Sequence, residues 1–253
     1  MSDLVATSFG GSYRGRRRTN EDALGKREPR APEIQGRHGS LYVVADGMGG
    51  HRAGEIASRI AVEATLTAYY ETPADGDGAL RRAVNAANRR IFETAATRDD
   101  WANMGCTLVA CLVHEVRATV AHVGDSRAYL IRDGEARLLT RDHLYVKEVL
   151  GLDDDAASKS GQRHVLSRAL GVGEVIQADV VSVGLTAGDR ILLCTDGVSN
   201  VVQDSEIAEV IDQLPPTAAV RRLLALTRVR QTADNASAMI VALAPAHGAR
   251  AVR

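Results

Sequence analysis

The chain has no excess of basic charge. Its 31 Lys and Arg face 32 Asp and Glu, a formal net charge of -1, so it lacks the global positive field of a nucleic-acid binder, and no nucleic acid is expected as a partner. It has only three cysteines, Cys106, Cys111 and Cys194, without metal-type spacing. Each sits in an apolar run, which predicts buried free thiols in a reducing compartment. No apolar run approaches the roughly 20 residues that span a bilayer, and the N-terminus lacks the apolar core of a signal peptide. A cytoplasmic protein that does not engage membranes is therefore expected. A chain of 253 residues can bury a sizeable core, and one domain is expected over residues 1–243, with 244–253 as a frayed tail.

What is present is organised around Leu41-Tyr42-Val43-Val44-Ala45-Asp46-Gly47-Met48-Gly49-Gly50-His51. The unalternated apolar run predicts a strand covered on both faces. It ends on a carboxylate and breaks into glycines that let the backbone approach a ligand. An ionised Asp46 at the edge of such a core needs a cation or hydrogen bonds to compensate it, although Asp-Gly is also an ordinary turn pair.

Around this strand, Val5 to Tyr13 reads as an edge strand, followed by the basic run Arg14, Arg16, Arg17, Arg18 and then Thr19-Asn20-Glu21-Asp22. Residues 26–39 read as a surface loop. From Gly54, Ile56, Ile60 and Ala64 recur at helical spacing, with Ala57, Ala61 and Ala68 widening the stripe. A second helix is expected over 79–96, and the two would lie as a pair on a sheet. Strands at 107–113 and 117–123, then 127–132 and 135–139 around Asp133-Gly134, predict an antiparallel meander. An irregular flap covers about 143–170. Strands at 180–183 and 190–196 follow, then helices over 205–213 and 218–230 capped by Asp204 and Thr217, and a last strand over 237–243.

Three apolar strands, Leu41 to Asp46, Thr119 to Asp125 and Arg190 to Asp196, each end on Asp, and Asp234 precedes the last strand. An antiparallel neighbour starts where another strand ends, so Asp234 can share a rim with Asp46 and Asp196. Acids gathered on one partly desolvated rim repel one another by several kcal/mol unless divalent cations intervene. An all-oxygen ligand set selects hard ions such as Mg2+ or Mn2+ over zinc. Two such ions acidify a water between them, a common arrangement for attack on phosphorus.

The segments Arg17-Arg18-Thr19-Asn20-Glu21-Asp22, Asp46-Gly47-Met48-Gly49-Gly50-His51, Gly54-Glu55-Ile56-Ala57-Ser58, Met104-Gly105-Cys106-Thr107, Gly124-Asp125-Ser126-Arg127, Thr195-Asp196-Gly197-Val198 and Asp234-Asn235 occur in an order and spacing that resemble the bacterial PP2C-type, metal-dependent Ser/Thr protein phosphatases. The resemblance covers about residues 8–243. It implies an α+β fold, a four-layer α-β-β-α sandwich of two antiparallel sheets flanked by helix pairs. It implies that Asp46 bridges two ions, that Gly47 offers its carbonyl, that Asp196 and Asp234 complete the site, and that Glu21 and Asp22 hold metal-bound water. Asp125 matches the position of a third, weaker ion, and His164 of the flap could reach it. Arg17 matches the arginine that grips the substrate phosphate with its planar fork, and His51 matches a proton donor to the leaving oxygen.

This sequence departs from the resemblance at Cys106, where Ser or Thr is usual, at Asn200, where many members carry Asp, and in a shorter flap bearing Asp153 to Asp155. The implied activity is one-step hydrolysis of phosphoserine and phosphothreonine in proteins phosphorylated by a Ser/Thr kinase, by a monomer holding two Mn2+ or Mg2+ ions. A catalytically weak phosphoprotein-binding regulator and another two-metal phosphoesterase remain as alternatives.

Overall fold

The computed structural model describes residues 4–48, 53–73, 77–153, 156, 159–162 and 164–246. The strands are β1 (Leu4–Tyr13), β2 (Asp22–Arg27), β3 (Ser40–Met48), β4 (Gly105–Cys106), β5 (Leu108–His114), β6 (Arg117–Val123), β7 (Arg127–Arg132), β8 (Glu135–Leu138), β9 (Asp179–Gly184), β10 (Arg190–Cys194) and β11 (Ala236–Pro245). The helices are α1 (Pro32–His38), α2 (Ala53–Glu71), α3 (Asp77–Ala95), α4 (Tyr145–Glu148), α5 (Asp196–Ser199), α6 (Asp204–Gln213) and α7 (Pro216–Val229). One sheet runs β1-β11-β10-β7-β8, the other β2-β3-β5-β6-β9 with β4 paired to β3. All pairings are antiparallel.

Side-chain alternation divides the interior into three cores, because successive residues of a strand point to opposite faces. In β3, Leu41, Val43 and Ala45 face α2 and α3, while Tyr42 and Val44 face the other sheet. In β10, Ile191 and Leu193 fill the space between the sheets, and Leu192 and Cys194 pack against α6 and α7. The result is the expected four-layer α-β-β-α sandwich. All three cysteines are free and buried.

Several elements differ from the sequence expectations. The loop expected over 26–39 contains the end of β2 and the helix α1, started by Pro32. The strand β2 escapes notice because its inward residues, Ala23 and Leu24, are only two. The expected meander is two hairpins in different sheets: β5 pairs β6, β7 pairs β8, and the chain crosses between the sheets at Gly124–Ser126. The Asp133-Gly134 turn has positive φ at both residues, 52° and 75°, the conformation a two-residue hairpin with right-handed twist requires.

The buried line of α2 is Ala57, Ala61, Thr65 and Tyr69, with Ile56 and Ile60 only partly buried at its flank. The helix lies close on the sheet, so small side chains take the contact. Gln203, not Asp204, caps α6, in a reciprocal pairing with Glu206, and Pro215 rather than Thr217 precedes α7, with Pro216 in its first turn.

Candidate active site

The strand register brings the acids together. Asp22 at the start of β2 pairs with Asp46 near the end of β3. The strand β11 begins beside the end of β10, with Cys194 opposite Ala238, which sets Asp234 near Asp196. Asp125 lies in the crossing that follows β6. Arg17, Glu21, Asp46, Gly47, Asp125, Asp196 and Asp234 all line one open cavity of about 1170 Å³, walled on one side by Ser167, Arg168 and Ala169 of the flap. His164 lines it too. Asp22 stands behind the cavity wall, and His51 and the acids Asp154 and Asp155 lie outside the described residues.

Several of the acids are held by specific neighbours. The Oδ2 of Asp22 accepts from Thr195 Oγ1, just past the end of β10, at 3.1 Å and from Ser237 Oγ of β11 at 2.6 Å. The Asp46 backbone is clamped by Thr107, whose Oγ1 accepts from the Asp46 amide at 3.1 Å while its own N–H donates to the Asp46 carbonyl at 2.8 Å. Asn200 Nδ2 donates to Asp196 Oδ2 at 2.9 Å, a neutral donor at the position where the resemblance leads one to look for another acid. Arg17 Nη2 donates to Asp234 Oδ2 at 2.7 Å. Gly47 admits no side chain: a Cβ there would lie 2.2 Å from the Gly54 carbonyl oxygen and 2.6 Å from that of Glu21.

The acids are poorly compensated. Burial, reinforced by Asp22, Asp196, Asp234 and Asp125, pushes the Asp46 carboxyl well above the usual range. Burial pushes Asp22 up to about 7 despite its two hydroxyl donors, with Asp196 and Asp234 adding to it. Asp125 is likewise pushed up to about 7 by burial, then by Asp196 and Asp142. Asp196 and Glu21 are raised chiefly by burial. The Oδ1 atoms of Asp22 and Asp196 are buried without a hydrogen-bond partner. Unpaired carboxylate oxygens gathered on one cavity fit hard divalent cations.

A separate group, His122, His143 and Asp179, has ligand atoms within 4.8 Å of one another. Within it, His122 Nδ1 and His143 Nε2 are buried without a hydrogen-bond partner. The Gly124 N–H donates to His143 Nδ1 at 3.1 Å, so the neutral ring carries its proton on Nε2, the atom that would have to face an ion.

Sequence reasoning quotes Asn235 in the Asp234-Asn235 pair but assigns it no role. Its Oδ1 accepts from the Glu21 amide at 2.8 Å, and its Nδ2 donates to the carbonyls of Arg14 at 2.7 Å and Thr19 at 2.9 Å. It thus holds the loop that carries Arg17 and Glu21. The signals in the sequence are its place in the Asp234-Asn235 segment and a polar residue immediately before a buried strand.

A two-sheet sandwich that turns a set of carboxylates onto one cavity, with a guanidinium among them, defines a metal-dependent phosphoester hydrolase. Residues 10–238 match the model of the protein phosphatase 2C family, and the chain belongs to that family as a metal-dependent protein phosphatase. It is 37% identical over 179 residues to the serine/threonine phosphatase stp of Listeria monocytogenes, covering 68% of this chain and 71% of that one. The serine/threonine protein phosphatase PstP of Mycobacterium tuberculosis is 36% identical over 206 residues, 79% of this chain and 40% of that one. The crystal structure of the M. tuberculosis phosphatase PstP/Ppp superposes with a TM-score of 0.82 at 32% identity, covering 94% and 99% of the two chains. The PstP catalytic domain in complex with two manganese ions gives 0.80 at 32% identity, covering 95% and 99%.

Proposed function

We propose that the protein hydrolyses phosphoserine and phosphothreonine in phosphorylated proteins, with water attacking phosphorus directly and no phosphoenzyme. The observation that carries this reading is the convergence of Asp46, Asp125, Asp196 and Asp234 on the cavity that Arg17 also enters. Asp46, the Gly47 carbonyl, Asp196 and Asp234 would hold two Mn2+ or Mg2+ ions, Glu21 and Asp22 would orient water around them, and Asp125 would hold a third, weaker ion. Ions held there would supply Lewis acidity, for a more acidic attacking water and for the charge of the phosphoryl oxygens.

The chain itself supplies the rest. Arg17 pairs its fork with two phosphoryl oxygens and sets the phosphorus over the acids. Its present partner, Asp234, keeps the guanidinium inside the cavity, and Asn235 keeps its loop in place. His51 protonates the leaving serine or threonine oxygen. Substrates would come from a Ser/Thr kinase, and the enzyme would act as a cytoplasmic monomer. No described helix is long and apolar enough to cross a membrane.

The test is dephosphorylation of a phosphopeptide with Mn2+, with Mg2+ and with EDTA, repeated on Asp46→Ala. EDTA and Asp46→Ala should each abolish turnover, while Arg17→Ala should chiefly raise KM. Near-normal hydrolysis by Asp46→Ala, or indifference to chelation, overturns the mechanism.

A further inference from the structure

His143 is fully buried, and its side chain is absent from the cavity lining. Its contacts nevertheless reach the cavity on two sides. The His143 N–H donates to the Gly124 carbonyl at 3.0 Å, and the Gly124 N–H returns the bond to His143 Nδ1 at 3.1 Å. Gly124 is the residue before Asp125. The His143 carbonyl accepts from the Ser167 N–H of the flap at 3.0 Å.

At the other edge of the ring, Nε2 lies 3.3 Å from Asp179 Oδ2. The second oxygen of Asp179 accepts from Arg168 Nη1 at 2.8 Å, and Arg168 also pairs with Glu148 of α4. Arg168 and Asp125 both line the cavity. A line of contacts therefore leaves the cavity at Arg168, runs through Asp179 and His143, and returns at Asp125. The ring is fixed in this line by stacking on His122, with centroids 4.6 Å apart.

From this we infer that His143 is a positioning residue: its Nδ1 fixes the Gly124–Asp125 peptide, and so sets ion affinity at Asp125. The inference rests on the reading of Asp125 as an ion ligand. A neutral imidazole suits the task because its unprotonated Nδ1 offers an acceptor to the Gly124 amide, while Nε2 lies beside Asp179 without forming a hydrogen bond. Groups behind a ligand that fix its orientation typically change metal affinity by about 10- to 100-fold when removed.

The experiment compares the full chain with His143→Asn, His143→Gln, His143→Leu and Asp125→Asn. Mn2+ binding is followed by the electron paramagnetic resonance signal of free Mn2+, Mn2+ half-saturation is measured in phosphopeptide hydrolysis, and thermal melting checks folding. His143→Asn places an acceptor where Nδ1 stands and should bind Mn2+ close to wild type. His143→Gln and His143→Leu lack that acceptor and should weaken the loosest class of Mn2+ by about tenfold or more.

If Asp125→Asn weakens Mn2+ and His143→Gln and His143→Leu do not, the inference is overturned. It is equally overturned if His143→Asn is as weak as His143→Gln, a contrast that decides the matter even if His143→Leu does not fold. An Asp125→Asn variant with unchanged Mn2+ binding overturns the reading of Asp125 itself, independently of His143.

Discussion

Asn235 shows how much of the site depends on one neutral side chain. It is 3% exposed, and its amide makes one bond to the Glu21 N–H and two to the carbonyls of Arg14 and Thr19. Asn235→Ala leaves those backbone groups without partners, so it should lower stability by about 1–3 kcal/mol. The loop carrying Arg17 would also lose its anchor. Urea unfolding should show the first effect and a raised KM for phosphopeptide the second, and an unchanged KM would separate Asn235 from substrate handling. Asp46, Asp125, Asp196 and Asp234 are legible in the sequence because each closes or opens an apolar strand, a local pattern. Asn235 is not, since its partners lie more than 200 positions away in the chain and only folding brings them near.

At the scale of elements, the same contrast between local and distant causes recurs. Periodicity identifies α2 but misplaces its buried line, because the inward face is chosen by the fit to the sheet and not by side-chain size. Ala61, 0% exposed, sits on that line. Ala61→Leu should overpack the layer and cost about 1–3 kcal/mol, whereas the partly buried flank at Ile60 should accept Ile60→Leu with a smaller loss. Thermal melting of the two variants decides it, and equal losses would return the stripe to the face read from the sequence. The strand β2 is missed for a related reason: its place is set by pairing with β3, not by a pattern of its own. The turn at Asp133-Gly134 is legible because its backbone conformation is demanded by two adjacent residues.

For the whole molecule, the three cores follow from strands apolar on both faces, and the helix pairs are visible as amphipathic runs, so the layered architecture is legible. The division of strands between sheets is not, because the crossing at Gly124–Ser126 is as short as a hairpin turn.

The gathered acids give the whole fold a pH dependence. Asp22 and Asp125 are raised to about 7 in the folded state, against about 3.9 when unfolded. At these two groups the folded protein then binds more protons than the unfolded chain between those values, so without divalent ions their contribution to stability is greatest below about pH 4 and falls as pH rises toward 7. Divalent ions oppose that fall, and at a hundred times their Kd they add about 2.7 kcal/mol. The gap in Tm between Mn2+ and EDTA should therefore widen from pH 5 to pH 8. A gap independent of pH would show that protons and ions do not compete for these acids.

Asp22 belongs to one sheet, yet its carboxylate is gripped by Ser237 of the other and by Thr195 at the end of that sheet's β10. The acid cluster is thus a weld across the seam of the sandwich. Neither half can carry chemistry on its own, and any agent that slides one sheet over the other disarms the enzyme before a single strand has come apart.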